Sequence, residues 1–126
     1  MKNIEVDHAP LSLQELRDVW EGPVSVQIGE TAAQRIAAAQ DLIAQVVAGG
    51  KTVYGVNTGF GQLAQVRISD DELRHLQENL VRSHAVGVGE NLPDEIVRLI
   101  MLLKIAALAQ GHSGVRPLLI LSLIHI

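Results

Sequence analysis

The chain has 126 residues, of which 48% are hydrophobic and only 2% aromatic, and its formal net charge is −4. This length and aliphatic composition favour one domain of helices packed on helices over a sheet sandwich. No basic stripe suggests nucleic acid as a partner, and the absence of cysteine excludes disulfides, thiolate metal sites and cysteine nucleophiles.

The first residues lack the apolar run of a signal peptide, and no run approaches the length of a membrane span. We therefore expect a cytoplasmic protein that binds neither membrane nor nucleic acid.

Two short strands and a helix are predicted first. Residues 3–7 and 24–28 alternate apolar and polar side chains, which is typical of a strand. Between them, Ser12 and Glu15 have the spacing of a capping box that opens a helix, and Gly22-Pro23 ends it. The sequence does not say how the strands pair.

An alanine-rich helix is predicted over 31–48, and Gly49-Gly50 ends it. The segment 51–68 differs in kind, because glycines alternate there with polar and aromatic residues. It contains the only tyrosine and the only phenylalanine of the chain, Tyr54 and Phe60. A long glycine-rich loop in a compact domain is usually functional or mobile.

Two more helices and a turn complete the prediction. Ser69 and the acids after it open a helix to about residue 85, and Pro93 stands in the first turn of a helix over about 94–110. That last helix is apolar on nearly all sides, which indicates burial in a larger assembly. Its predicted core face comprises Ile96, Leu99, Ile100, Leu103 and Ala107. Residues 111–114 form a turn, and Arg116-Pro117 begins another helix.

From the residues alone, the candidate chemistry stays open. Tyr54 is either a turn tyrosine that packs its ring or an acid/base group carried by a loop. His84, at a predicted helix end, is either a residue stabilised by the helix dipole or a contact for a polar substrate. The glycines do not form a phosphate-binding motif, and the five histidines lack metal-ligand spacing, so we expect no metal.

The segment Val53–Gly61, Val-Tyr-Gly-Val-Asn-Thr-Gly-Phe-Gly, resembles the aromatic amino acid ammonia-lyases. The similarity continues through Gln77–Gly89, Leu99–Ile105 and Gly111–Arg116, and covers roughly residues 4 to 120. The resemblance implies a mainly α fold: the N-terminal portion of the ammonia-lyase (fumarase/aspartase-like) helical fold, with one or two short strands near the N-terminus.

The resemblance also implies roles for individual residues. Tyr54 would be the catalytic base on a loop that closes over the site. His84 would bind the substrate, because Ser83-His84 is similar to the pair in histidine-directed members. The residues expected to shape the loop are Gly55, Asn57, Thr58, Gly59, Phe60 and Gly61, with Phe60 as its anchor.

The implied reaction is the non-oxidative deamination of L-histidine to trans-urocanate and ammonia, the first step of histidine degradation, in a homotetramer. The family cofactor, 4-methylidene-imidazol-5-one, forms from an Ala-Ser-Gly triad that these 126 residues lack. We expect this chain alone to be inactive. Alternatives are a tyrosine or phenylalanine ammonia-lyase, an aminomutase of the same family, or a non-catalytic remnant.

The domain boundaries follow from the resemblance. Residues 1–120 would be part of the N-terminal, cofactor-bearing domain, truncated before the triad. Residues 121–126 would be a non-native tail, because they can be encoded by CTGTCTCTTATACACATC, a transposon end used in sequencing libraries.

Overall fold

The structure, a computed structural model, describes residues 1–59, 61, 66 and 68–125. It contains a short sheet and helices in the order β1 (Lys2–Val6), α1 (Leu13–Glu21), β2 (Val24–Ile28), α2 (Glu30–Ala48), α3 (Asp70–His84), α4 (Asp94–Ala109) and α5 (Pro117–His125). The chain forms two compact units, one comprising Met1–Leu42 with Asn91–Ile126 and the other Ile43–Glu90. The predicted mainly α class with short N-terminal strands is confirmed.

The first unit begins with a parallel strand pair. β1 and β2 pair from Lys2 with Val24 to Val6 with Ile28. Parallel neighbours need a crossover connection, and α1 provides it. The predicted capping box is confirmed: the Ser12 N–H donates to Glu15 Oε2 at 2.7 Å, and the Glu15 N–H donates to Ser12 Oγ at 3.2 Å.

The start of α2 is fixed by the residue that follows β1. The Asp7 carboxylate accepts a hydrogen bond from the Ala32 N–H at 2.6 Å, and the Gly29 N–H donates to Val6 O at 2.9 Å. A carboxylate at this position satisfies a free donor of the first helical turn and complements the helix dipole. A Cβ atom at Gly29 would lie 2.5 Å from the Asp7 Cβ, so this close approach requires glycine.

The core of this unit is aliphatic and centres on α4, which contacts α1, α5 and β1. Its buried side chains are Ile4, Val6, Val19, Ala32, Ile36, Leu102, Ile105, Leu108, Ala109 and Ile120. Arg98 joins α4 to the end of α1, since its guanidinium donates to Val19 O at 3.0 Å and to Trp20 O at 3.1 Å. Carbonyls at a helix end lack partners within the helix, so Arg98 caps α1 from outside.

The predicted core face of α4 is partly wrong, although Leu99 of that face packs against the core. Leu102, Ile105 and Leu108 are buried, whereas Ile100 and Leu103 remain 52% and 50% exposed. Both sides of this helix are apolar, so hydrophobic periodicity could not choose between them. Pro93 is the N-cap of α4 rather than a residue of its first turn.

The second unit contains the glycine-rich loop and α3, whose bounds match the predicted helix. Ser69 is the N-cap, and its hydroxyl donates to the Glu72 carboxylate at 2.8 Å instead of accepting from the backbone. In the part of the chain that the structure describes, no helix combines the length and hydropathy of a membrane span.

Candidate active-site loop and the end of helix α3

The loop after α2 is held by a buried asparagine. Asn57 is 1% exposed. Its Oδ1 accepts from the Val53 N–H at 2.8 Å, and its Nδ2 donates to Lys51 O at 2.9 Å. The Asn57 N–H also donates to Val53 O at 3.2 Å. The side-chain amide therefore pairs backbone groups of Lys51 and Val53, which lead into the turn.

Thr58 adds further hydrogen bonds to the same turn, and the buried pair Asn57 and Thr58 is here called the anchor of the loop. Thr58 is also 1% exposed, and its hydroxyl accepts from the Gly55 N–H at 3.4 Å while donating to Gly59 O at 3.0 Å. Gly55 has a φ of +76°, a conformation that favours glycine. Two backbone bonds then close the far side of the loop, from the Gly59 N–H to Val66 O at 3.2 Å and from the Ile68 N–H to Asn57 O at 3.0 Å.

Tyr54 stands on the turn that these bonds define. The Val53 carbonyl accepts from the N–H groups of Val56 and Asn57, at 3.1 and 3.2 Å, so the backbone around Tyr54 is fixed on both sides. The Tyr54 side chain is 65% exposed. The loop thus presents a phenol at the surface of this unit from a backbone fixed by buried polar groups. That arrangement suits a group that must act on a ligand.

Of the other residues predicted to shape the loop, Gly59 is buried and Gly61 has a φ of +59°. Phe60, predicted to anchor the loop, lies outside the described residues. The sequence indicated Asn57 and Thr58 only as shaping residues, because a side chain that pairs its own neighbouring backbone leaves no periodic pattern. The signal available was an Asn-Thr pair, which favours local backbone bonds, between glycines.

His84 is the last residue of α3 and is exposed. Its Nδ1 lies 2.9 Å from Leu80 O and 3.0 Å from Ser83 Oγ, and Ser83 Oγ lies 3.0 Å from the same carbonyl. Among the described residues these are the only hydrogen bonds of its ring. One turn of the helix therefore holds the imidazole through a small local network.

Acidic and histidine side chains are also candidate metal ligands among the residues that the structure describes. Within the described ranges, no group of three or more His, Asp or Glu side chains is placed to hold a metal ion. His112 and Ser113 lie in the turn between α4 and α5, apart in the chain from the loop and from α3. The candidate site in this chain therefore consists of the Tyr54 loop and the end of α3.

The helical scaffold with its short strand pair has the fold of the ammonia-lyases. Residues 11–126 match the family described as aromatic amino acid lyase, and the chain belongs to that family. The predicted resemblance is confirmed.

Known relatives agree with this membership. The chain is 49% identical to a histidine ammonia-lyase of Salmonella schwarzengrund (strain CVM19633) over 98% of its own length and 24% of the relative's. It is similar to the crystal structure of a histidine ammonia-lyase from Trypanosoma cruzi, with a TM-score of 0.86, 34% identity, and coverage of 97% of this chain and 24% of the other. An ergothionase from Treponema denticola, described as degrading ergothioneine, gives 0.88 and 31%, with the same coverage.

The chain spans about a quarter of the length of these relatives. The ergothionase and the histidine ammonia-lyase share the fold with this chain to nearly the same degree, so the fold does not choose the substrate. The roles of Tyr54, His84 and the loop residues stay predictions, as do the boundary at residue 120 and the origin of residues 121–126.

Proposed function

We propose that this chain is part of a protein that deaminates L-histidine to trans-urocanate and ammonia, with Tyr54 as the base and His84 as a substrate contact. The observation that carries the proposal is the 49% identity to a histidine ammonia-lyase over 98% of this chain. Among solved structures, the identity is 34% to a histidine ammonia-lyase and 31% to the ergothionase. Solved aminomutase structures have the same fold as this chain, but they are less similar in sequence, at 28% identity for a tyrosine aminomutase and 26% for a phenylalanine aminomutase.

The reaction requires a base at the β-carbon of the substrate. A Cβ–H bond breaks, its electron pair forms the Cα=Cβ double bond, and the amino group leaves with the electrons of the Cα–N bond. The base receives the β-proton, and ammonia and urocanate are released. A positioned general base contributes roughly 100- to 10,000-fold to such a step. Tyr54 supplies the oxygen for this transfer from the anchored loop.

The loop also suits a closing element. Tyr54 is exposed, while Asn57 and Thr58 are buried, so the tip can meet a substrate without disturbing its own anchor. Closure over a substrate excludes water and completes the catalytic arrangement. Gly55 and Gly61, on either side of Asn57 and Thr58, have positive φ, a backbone conformation that favours glycine.

The family cofactor does not fit within this chain. No Ala-Ser-Gly triad occurs in the 126 residues, and Ser113-Gly114 is preceded by His112. The proposal therefore assigns 4-methylidene-imidazol-5-one, the electrophile that activates the amino group for departure, to the part of the protein beyond this chain. The 126 residues alone are then inactive. We include in the proposal a cytoplasmic homotetramer as the complete enzyme.

The test is Tyr54→Phe in the complete protein that contains this chain. The variant keeps the ring and removes the oxygen, so we expect urocanate formation from L-histidine to fall by at least roughly 100-fold. The helical fold should remain intact by circular dichroism. Lys51→Ala is the matched control, because its side chain is exposed on the same loop and only its backbone carbonyl pairs with Asn57. Near-normal turnover by Tyr54→Phe would contradict the assignment.

A further inference from the structure

A hydrogen-bond network at the end of α3 involves the His84 ring, the Ser83 hydroxyl and a backbone carbonyl. Three atoms lie within 3.0 Å of one another: His84 Nδ1, Ser83 Oγ and Leu80 O. Two of them belong to consecutive side chains, and the third is the carbonyl one turn earlier. Each contact is short enough for a good hydrogen bond.

The carbonyl decides which nitrogen of His84 carries the proton. A carbonyl oxygen only accepts, so the nitrogen 2.9 Å from Leu80 O must donate. The Ser83 hydroxyl is satisfied by the same choice: it donates to Leu80 O, and its lone pair faces the proton on Nδ1. The opposite tautomer would place the Nδ1 lone pair against the lone pairs of Leu80 O.

In a neutral imidazole the second nitrogen is then an acceptor. Among the described residues, Nε2 of His84 has no hydrogen-bond partner, and the side chain is exposed. An exposed acceptor of fixed orientation selects a ligand that brings a donor. The bond made by one ring nitrogen thus sets what the other nitrogen can recognise.

We infer that Ser83 is a positioning residue: with Leu80 O it holds His84 as the Nδ1–H tautomer, so that Nε2 accepts a hydrogen bond from a ring N–H of the substrate. This inference rests on the proposed function for the identity of the ligand, a neutral imidazole amino acid. A phenyl ring brings no donor and leaves the Nε2 lone pair unpaired. A site built to pair with a polar ring rejects such an analogue strongly.

The tautomer can be measured directly. ¹⁵N magic-angle-spinning NMR of the 126-residue chain, with histidine ring nitrogens labelled, distinguishes the protonated from the bare nitrogen and does not require small particles. The His84→Gln variant assigns the resonances. We expect a protonated Nδ1 and a bare Nε2 at His84. In Ser83→Ala the ratio of the Nδ1–H to the Nε2–H tautomer of His84 should fall about two- to tenfold, the effect of one neutral hydrogen bond. Ser83→Thr should restore that ratio.

The same spectra contain two controls. His75 lies on α3 away from Ser83, and His125 repeats the contact of Nδ1 with the carbonyl four residues earlier, at 2.6 Å from Leu121 O, without a preceding serine. Neither should respond to Ser83→Ala. A bare Nδ1 at His84 in the unmodified chain would overturn the inference, and so would a His84 tautomer ratio that Ser83→Ala leaves unchanged.

Kinetics of the complete protein separate this inference from the proposed function. Ser83→Ala should raise KM for L-histidine about two- to tenfold with a smaller change in kcat, and Ser83→Thr should reverse the effect. If L-histidine is not a substrate, the proposed function fails while the NMR result stands. If L-histidine turns over normally but His84 carries its proton on Nε2, this inference fails alone.

Discussion

Replacement of Asn57 tests the anchor of the tyrosine loop. Asn57→Ala removes two hydrogen bonds, to the Val53 N–H at 2.8 Å and to Lys51 O at 2.9 Å, from a residue that is 1% exposed. Each lost hydrogen bond costs about 0.5–1.5 kcal/mol, so the two together cost about 1–3 kcal/mol. Because both lost partners are backbone groups of the same turn, we expect the effect to appear as local opening of the loop.

Hydrogen exchange at the Val53 amide measures that opening, since this N–H donates directly to Asn57 Oδ1. A loss of about 1–3 kcal/mol corresponds to exchange that is about 5- to 150-fold faster. Asn91→Ala is the matched control, because Asn91 is exposed between α3 and α4 and should change exchange at Val53 little.

A second variant separates the two bonds. Asn57→Asp keeps an oxygen for the Val53 N–H but places another oxygen opposite Lys51 O, where the structure has a donor. It should therefore open the loop although its shape is preserved. Unchanged exchange at Val53 in Asn57→Ala would show that the Asn57 side chain does not hold the turn.

Two further predictions concern the first unit. Burial raises the pKa of Asp7, but hydrogen bonds from the Ala32 N–H, His8 and Thr31 together lower that pKa below its ordinary value of 3.8. The stability that Asp7 contributes is therefore present above pH 3.8 and is lost as pH falls through the lower pKa of the folded state. Asp7→Asn should flatten the acid limb of a curve of stability against pH. An acid limb unchanged by Asp7→Asn would contradict this. Gly29→Ala places a Cβ 2.5 Å from the Asp7 Cβ and should destabilise by about 1–3 kcal/mol in urea unfolding, whereas Gly87→Ala, with no atom within 4 Å of its added Cβ, should not. Equal midpoints for these two glycine variants would show that the close approach does not exist.

Local patterns predicted most of the secondary structure. The capping box of Ser12 and Glu15, the Gly49-Gly50 stop and the acids after Ser69 each encode a helix end within four residues, and the structure has helices at those places. Alternation predicted both strands. Signals of this kind depend on neighbours in sequence, so a single sequence contains them in full.

The parts that the sequence did not predict depend on distant partners. The parallel pairing of β1 with β2 is a choice between directions that alternation leaves open. The buried side of α4 was predicted only in part, since Leu102 and Leu103 are equally apolar and only the contacts with α1, α5 and β1 distinguish them. Arg98 as a cap for α1 joins positions 78 and 79 residues apart, which no local spacing reveals.

The candidate site divides in the same way. The sequence indicated Tyr54 through its place among glycines and His84 through its place at a helix end. It did not indicate that Asn57 pairs with Lys51 and Val53, or that His84 Nδ1 lies 2.9 Å from Leu80 O. Such contacts depend on how a side chain is oriented, and residue types and their spacing do not reveal that orientation.

The central claim is that this chain carries the tyrosine loop of an enzyme that deaminates L-histidine. It is tested most directly by expressing the complete protein that contains this chain and supplying L-histidine, L-tyrosine and L-phenylalanine separately. Ultraviolet absorbance of the conjugated product and ammonia release are then measured together. The account predicts urocanate and ammonia in equal amounts from L-histidine, and little product from the other two. Turnover of L-tyrosine or L-phenylalanine in preference to L-histidine, or of none of the three, would contradict it.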